Sequence, residues 1–149
     1  MIIQNFKESR ELLDLKQKDI AEFFNIHFST VSGWETGKDT IPLNRLIEYA
    51  NKYNYSLDYL FGITRYNMEY EPIILDIELL SKDLRILRKQ NKMTQKMVAE
   101  KINTTQPSYA HYEIGTNLIT TTFLYSLTKI YKPFSIDALF GRKKQYSLI

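Results

Sequence analysis

The chain contains no cysteine, which excludes a disulfide framework, a thiolate zinc site and a cysteine nucleophile. Histidine is nearly absent as well. His27 and His111 lie 84 residues apart, and without other clustered ligands they form no metal motif. Glycine occurs five times, never as a phosphate-cradling loop, and no base-and-nucleophile constellation is visible. An enzyme is therefore the least supported class, and no cofactor is expected. No apolar run approaches the ~20 residues that span a bilayer. The opening MIIQNFKESRELL lacks a basic region followed by a long apolar stretch and a small-residue cleavage site. A cytoplasmic chain with no membrane partner is the expectation.

What is present fits one ordinary domain or two small ones: 149 residues, 44% hydrophobic and 25% charged. The net charge of +3 is unevenly spread. Residues 1–64 carry 7 basic and 9 acidic side chains, residues 65–80 carry 1 and 4, and residues 81–149 carry 12 and 4. The last segment has the electrostatic footprint of a nucleic-acid or anionic-surface binder, or of a solvated basic face.

Displacing the sequence by 78 residues reveals an internal repeat. LKQKDIAEFFNIHFSTVSGWETGKDTI aligns with MTQKMVAEKINTTQPSYAHYEIGTNLI. Arg10/Arg88, Gln17/Gln95, Lys18/Lys96, Ala21/Ala99, Glu35/Glu113 and Gly37/Gly115 are identical pairs. One added residue near Pro133 moves the register to 79, and SLDYLFG then matches SIDALFG. Two copies make a duplicated small domain rather than a solenoid. The expected organisation is a first domain at 1–64, a linker at 65–79 that is helical in part, a second domain at 80–142 and a tail at 143–149.

Each copy reads as helices. In the first, Phe6, Leu12, Leu13 and Leu15 suggest an apolar face on a helix near 2–14. Ile20, Ala21, Phe23 and Phe24 suggest a second near 17–24, ended by Asn25, which tolerates the left-handed turn. A third follows near 28–36, with Gly37 as its C-terminal cap. Ile41, Leu43, Leu46, Ile47 and Ala50 mark a fourth with Pro42 near its first turn, and Ser56 caps a fifth. The second copy repeats the plan at about 81–91, 95–102, 106–114, 120–130 and 136–140. Thr94, Thr105 and Ser135 are good N-caps, whereas Lys16 and His27 are poor ones. The fold class is all-α, with two tandem five-helix domains.

The ordered set of motifs resembles the lambda-repressor/Cro-like (XRE-type) helix-turn-helix family over nearly the whole chain, twice. The first copy shows Gln17, Ala21, Ser29-Thr30-Val31-Ser32, Trp34-Glu35-Thr36-Gly37 and Ser56-Leu57-Asp58-Tyr59-Leu60-Phe61-Gly62. The second shows Thr94-Gln95, Ala99, Gln106-Pro107-Ser108, Tyr112-Glu113-Ile114-Gly115 and Ser135-Ile136-Asp137-Ala138-Leu139-Phe140-Gly141.

The resemblance implies double-stranded DNA as partner, with helix 3 entering the major groove. Helical spacing puts Phe28, Ser29, Ser32 and Gly33 on one face in the first copy, with Val31 and Trp34 turned to the core. Phe28, Ser29 and Ser32 are the base-reading candidates there. Gln106, Pro107 and His111 are those of the second copy, and a Gln106 amide can pair bidentately with adenine. Gln17 and Gln95 open helix 2, where free backbone N–H groups can hold phosphate. Lys18, Lys38, Asn44, Arg45, Lys96, Thr116 and Asn117 extend the phosphate candidates. By resemblance, Arg10/Glu35 and Arg88/Glu113 form partly buried ion pairs tying helix 1 to helix 3, and Leu57, Tyr59 and Ile136 are interface candidates. The apolar positions Ile73, Ile77, Leu80 and Leu84, in a helix starting at Pro72, offer a seam for packing or dimerisation.

Two readings follow. One is a sequence-specific transcriptional regulator, a repressor, acting as a homodimer or as an intramolecular pseudo-dimer with half-sites ~34 Å apart. The other is a protein-interaction module, antirepressor- or antitoxin-like, in which one or both domains no longer bind DNA.

Overall fold

The structure is a computed structural model describing residues 1–144. Its described residues form ten helices and no strand. The chain divides into two compact units, Met1–Pro72 and Ile73–Lys143, each with its own core. The expected tail at 143–149 lies outside the described residues beyond Lys144.

The first unit contains α1 (Phe6–Leu12), α2 (Gln17–Phe24), α3 (Phe28–Thr36), α4 (Leu43–Tyr53) and α5 (Leu57–Leu60). Its core is aromatic. Trp34 stands edge-on to Phe6 at 6.2 Å and to Phe24 at 5.8 Å, an arrangement the ring quadrupoles favour. Ile20, Val31, Leu46 and Leu60 are fully buried around them.

Helix α1 corrects the sequence reading. Leu12 and Leu13 are exposed, and the buried face is Phe6, Ser9 and Arg10. The reason is polar. Ser9 Oγ and the Tyr49 hydroxyl share a hydrogen bond of 2.6 Å, and the Tyr55 hydroxyl donates to the Ser9 carbonyl at 2.9 Å. A serine that satisfies two buried tyrosines belongs inside, and an apolar count misses it.

Asn25 closes α2 in the left-handed region at φ 54°, so the chain turns sharply into α3. His27, a weak cap by type, caps α3 after all: its Nδ1 accepts from the Ser29 N–H at 3.2 Å. At α2 the Asp19 carboxylate accepts from the Lys16 N–H at 2.7 Å, half of a capping box. Gly37 ends α3 at φ 84°, where an L side chain would be strained.

The second unit contains α6 (Ile77–Gln90), α7 (Gln95–Lys101), α8 (Gln106–Ile114), α9 (Thr121–Ile130) and α10 (Ile136–Leu139). The helix read from Pro72 begins only at Ile77. Asp76 is extended there and accepts the free Leu79 N–H at 3.1 Å, which fixes the start. Ile73, Leu80 and Leu84 are buried, whereas Ile77 is partly exposed. Leu57, Tyr59 and Ile136, the interface candidates, are buried in the chain.

Arg142 is a further case. Counted by sequence among the basic residues of the last segment, it is buried and donates to Asp137 Oδ1 at 3.0 Å. It pins the end of α10 rather than facing solvent.

Tyr109 and Tyr131 fill the second core where the first copy has Val31 and Tyr53. Their hydroxyls are buried near one another and near Glu113, yet neither makes a well-formed hydrogen bond among the described residues. An unsatisfied buried hydroxyl costs about 1–3 kcal/mol. Tyr109→Phe is therefore expected to raise the unfolding free energy by about 1 kcal/mol, read from urea denaturation. A loss of stability would show that the hydroxyl is satisfied.

Candidate nucleic-acid interface

In each unit the first helix is locked to the third through a buried bidentate pair. Arg10 Nε and Nη2 donate to the two Glu35 oxygens, both at 2.8 Å, and Nη1 donates to the Leu15 carbonyl at 2.7 Å. Arg88 repeats this on Glu113, with contacts of 2.9–3.1 Å and a 2.9 Å bond to the Met93 carbonyl. The hydrogen bonds to Glu35 and Glu113 hold both guanidinium groups further above their ordinary pKa. Three of each arginine's donor atoms are satisfied internally, so neither is available to a ligand.

A glutamine at the start of helix 2 joins each pair. Gln17 Nε2 donates to Glu35 Oε1, and Gln95 Nε2 donates to Glu113 Oε2, both at 3.2 Å. In the second unit the chain of contacts extends one step. Gln106 Nε2 donates to Gln95 Oε1 at 2.8 Å. The Gln106 carbonyl oxygen and its other N–H stay free at the exposed start of α8. The ion pair thus orients Gln95, and Gln95 orients Gln106. Sequence reasoning named all four residues without this linkage. Its only trace there is that Gln95 and Gln106 open successive helices around a short turn.

The first unit stops at Gln17, because Phe28 stands where Gln106 does. Phe28 is 55% exposed and rests on the His27 ring at 4.5 Å. Ser29 is exposed, but its hydroxyl is shared with His27 Nδ1 at 2.7 Å. Ser32 is half-buried. Gly33, expected on the reading face, is buried. Asp39 Oδ2 lies 2.8 Å from where a Cβ on Gly33 would stand. The loop after α3 therefore lays a carboxylate against that helix, which sequence reasoning missed. The second unit has neutral Asn117 at the matching place, and its N–H, with those of Gly115 and Thr116, converges on the His111 carbonyl.

The remaining candidates divide by availability. Pro107 and His111 are exposed on α8. Lys18, Lys38, Asn44, Lys96, Thr116 and Asn117 are exposed too. Arg45 is half-buried: it pairs with Glu48 at 3.3 Å and lies 5.4 Å over the Phe24 ring. Among the described residues no group of histidine or acidic side chains is arranged to hold a metal, and no helix is long and apolar enough to cross a membrane.

The helix-turn-helix family model matches the chain twice, over residues 6–60 and 84–139. No curated protein and no solved structure matches it. The two matched segments cover α1–α5 and all of the second set except the first turns of α6. The chain belongs to the helix-turn-helix family of XRE type, a family of DNA-binding regulators, with two tandem domains of all-helical fold.

Proposed function

We propose that this protein is a sequence-specific transcriptional regulator, a repressor, that reads double-stranded DNA in the major groove through α8 of the second unit. The observation that carries this reading is the Gln106–Gln95 contact of 2.8 Å, anchored through Glu113 on Arg88. A reader amide held before DNA arrives loses less side-chain entropy on binding. With one N–H on Gln95, Gln106 keeps one donor and one acceptor, the set that matches adenine N7 and N6. Pro107 and His111 lie on the same exposed face. Lys96, Thr116, Asn117 and the α7 start at Gln95 supply phosphate contacts. Occupying an operator is enough for repression. Pairing of two reading surfaces, in a homodimer or within one chain, would set the half-site spacing.

For the first unit a second reading, as a protein-interaction module, is favoured by the Asp39 carboxylate over Gly33 and by the exposed Phe28. A fixed negative charge beside helix 3 opposes phosphate, and an exposed aromatic suits a protein partner. If the first unit also docks on DNA, through Gln17, Lys18, Lys38 and Asn44, then Asp39→Asn is expected to tighten binding about 2–5-fold, more at low salt. Unchanged affinity at low salt would assign the first unit to the second reading.

The reading as a whole is tested by selecting bound sites from random duplex DNA and measuring affinity across a salt series. Enrichment of a defined sequence, with affinity falling steeply as salt rises, is the expected result. No enrichment together with salt-insensitive binding would overturn it.

A further inference from the structure

The two units share a scaffold but diverge where their first and fifth helices meet. In the first unit Tyr59 fills that junction. Its ring stacks on Tyr55, with centroids 5.6 Å apart and planes 18° from parallel. Its hydroxyl donates to Glu8 Oε2 at 3.1 Å, and Asn5 Nδ2 donates to its backbone carbonyl at 2.7 Å. The repeat places Ala138 at the position of Tyr59, Phe134 at Tyr55, Ile86 at Glu8 and Asp83 at Asn5. The ring is gone, its stacking partner is retained, and both polar partners have changed.

An open groove of about 300 Å³ stands at this junction in the second unit, lined by Asp83, Ile86, Leu87, Gln90, Phe134 and Ala138 among others. That is at the lower end of small-molecule sites. Three of its walls, Ile86, Leu87 and Phe134, are apolar. Asp83 is half-buried, and its carboxylate makes no hydrogen bond or ion pair among the described residues. Burial pushes its pKa up, against the pull of Lys82. An ionised carboxylate can only accept, so the missing partner is a donor, and a cation suits it best. A phenol hydroxyl placed as that of Tyr59 would meet apolar Ile86 in place of the acceptor Glu8.

We propose that this groove binds a small aromatic amine, with its ring on Phe134 in the place Tyr59 takes in the other copy and its protonated nitrogen on Asp83. This site is independent of the DNA-reading surface and of the reading given to it.

Phenethylamine, titrated into the full chain by calorimetry and by amide NMR, is the probe. Binding is expected, with 2-phenylethanol (ring without charge) and butylamine (charge without ring) at least about ten-fold weaker. Asp83→Asn should weaken phenethylamine at least about ten-fold. Ala138→Tyr should abolish binding by refilling the groove, and Ala138→Tyr with Ile86→Glu rebuilds the contacts of the first copy should the single variant fold poorly. No binding at about 10 mM would overturn the proposal, as would binding that survives Asp83→Asn or the refilled groove.

Discussion

Glu113→Ala is expected to remove about 3–5 kcal/mol of stability from the second unit. The Glu113 carboxylate is 2% exposed and accepts from both Nε and Nη2 of Arg88. Truncating it leaves the guanidinium buried without its counter-charge, which costs far more than the pair is worth against an apolar replacement. Glu35→Ala should cost the first unit a similar amount, because the geometry is the same within a few tenths of an ångström. The two can be told apart. Trp34, the one tryptophan, sits in the first core, so its fluorescence reports Glu35→Ala. Far-UV circular dichroism reports the loss in either variant. A change below about 1 kcal/mol in both would show that the ion pairs do not hold helix 1 to helix 3.

Gln106→Ala is expected to lower discrimination at one base position by about 1–3 kcal/mol, roughly 5–150-fold, and to leave the salt dependence unchanged. The side chain is neutral, so no counterion release is lost with it. Lys96→Ala should do the reverse: weaken all sequences alike and reduce the salt slope by about 1. Gln95→Ala separates positioning from reading. It removes the acceptor that holds Gln106 Nε2 and should blur the same base position without abolishing the preference. Site selection on the variants reads all three. Undiminished preference in Gln106→Ala would remove this residue from the reading surface.

These two expectations rest on different levels of description. The repeat, the family and the helix positions were legible from residue order. Gln17–Phe24, Phe28–Thr36 and Gln106–Ile114 begin and end where the periodicity and caps place them, because Asn25, Gly37 and Gly115 impose backbone conformations that are local properties. Helix 1 was less legible. Ser9 and Arg10 are polar by type, and only the partners Tyr49 and Glu35, 40 and 25 residues away, make their burial favourable. The burial of Arg142 was illegible for a related reason: only Asp137, brought against it by packing, makes it favourable.

Residue order was enough to show that two similar helical domains lie in tandem, and that they differ at the helix-3 positions proposed to read bases. Turn chemistry and apolar spacing act over a few residues, so they survive without three-dimensional context. Only packing shows how those positions are held. It joined Arg88, Glu113, Gln95 and Gln106 into one hydrogen-bonded series in the second unit, and it set Asp39 against Gly33 in the first. Such contacts depend on side chains of separate helices and loops meeting within about 3 Å, a distance that packing fixes and spacing in the sequence does not.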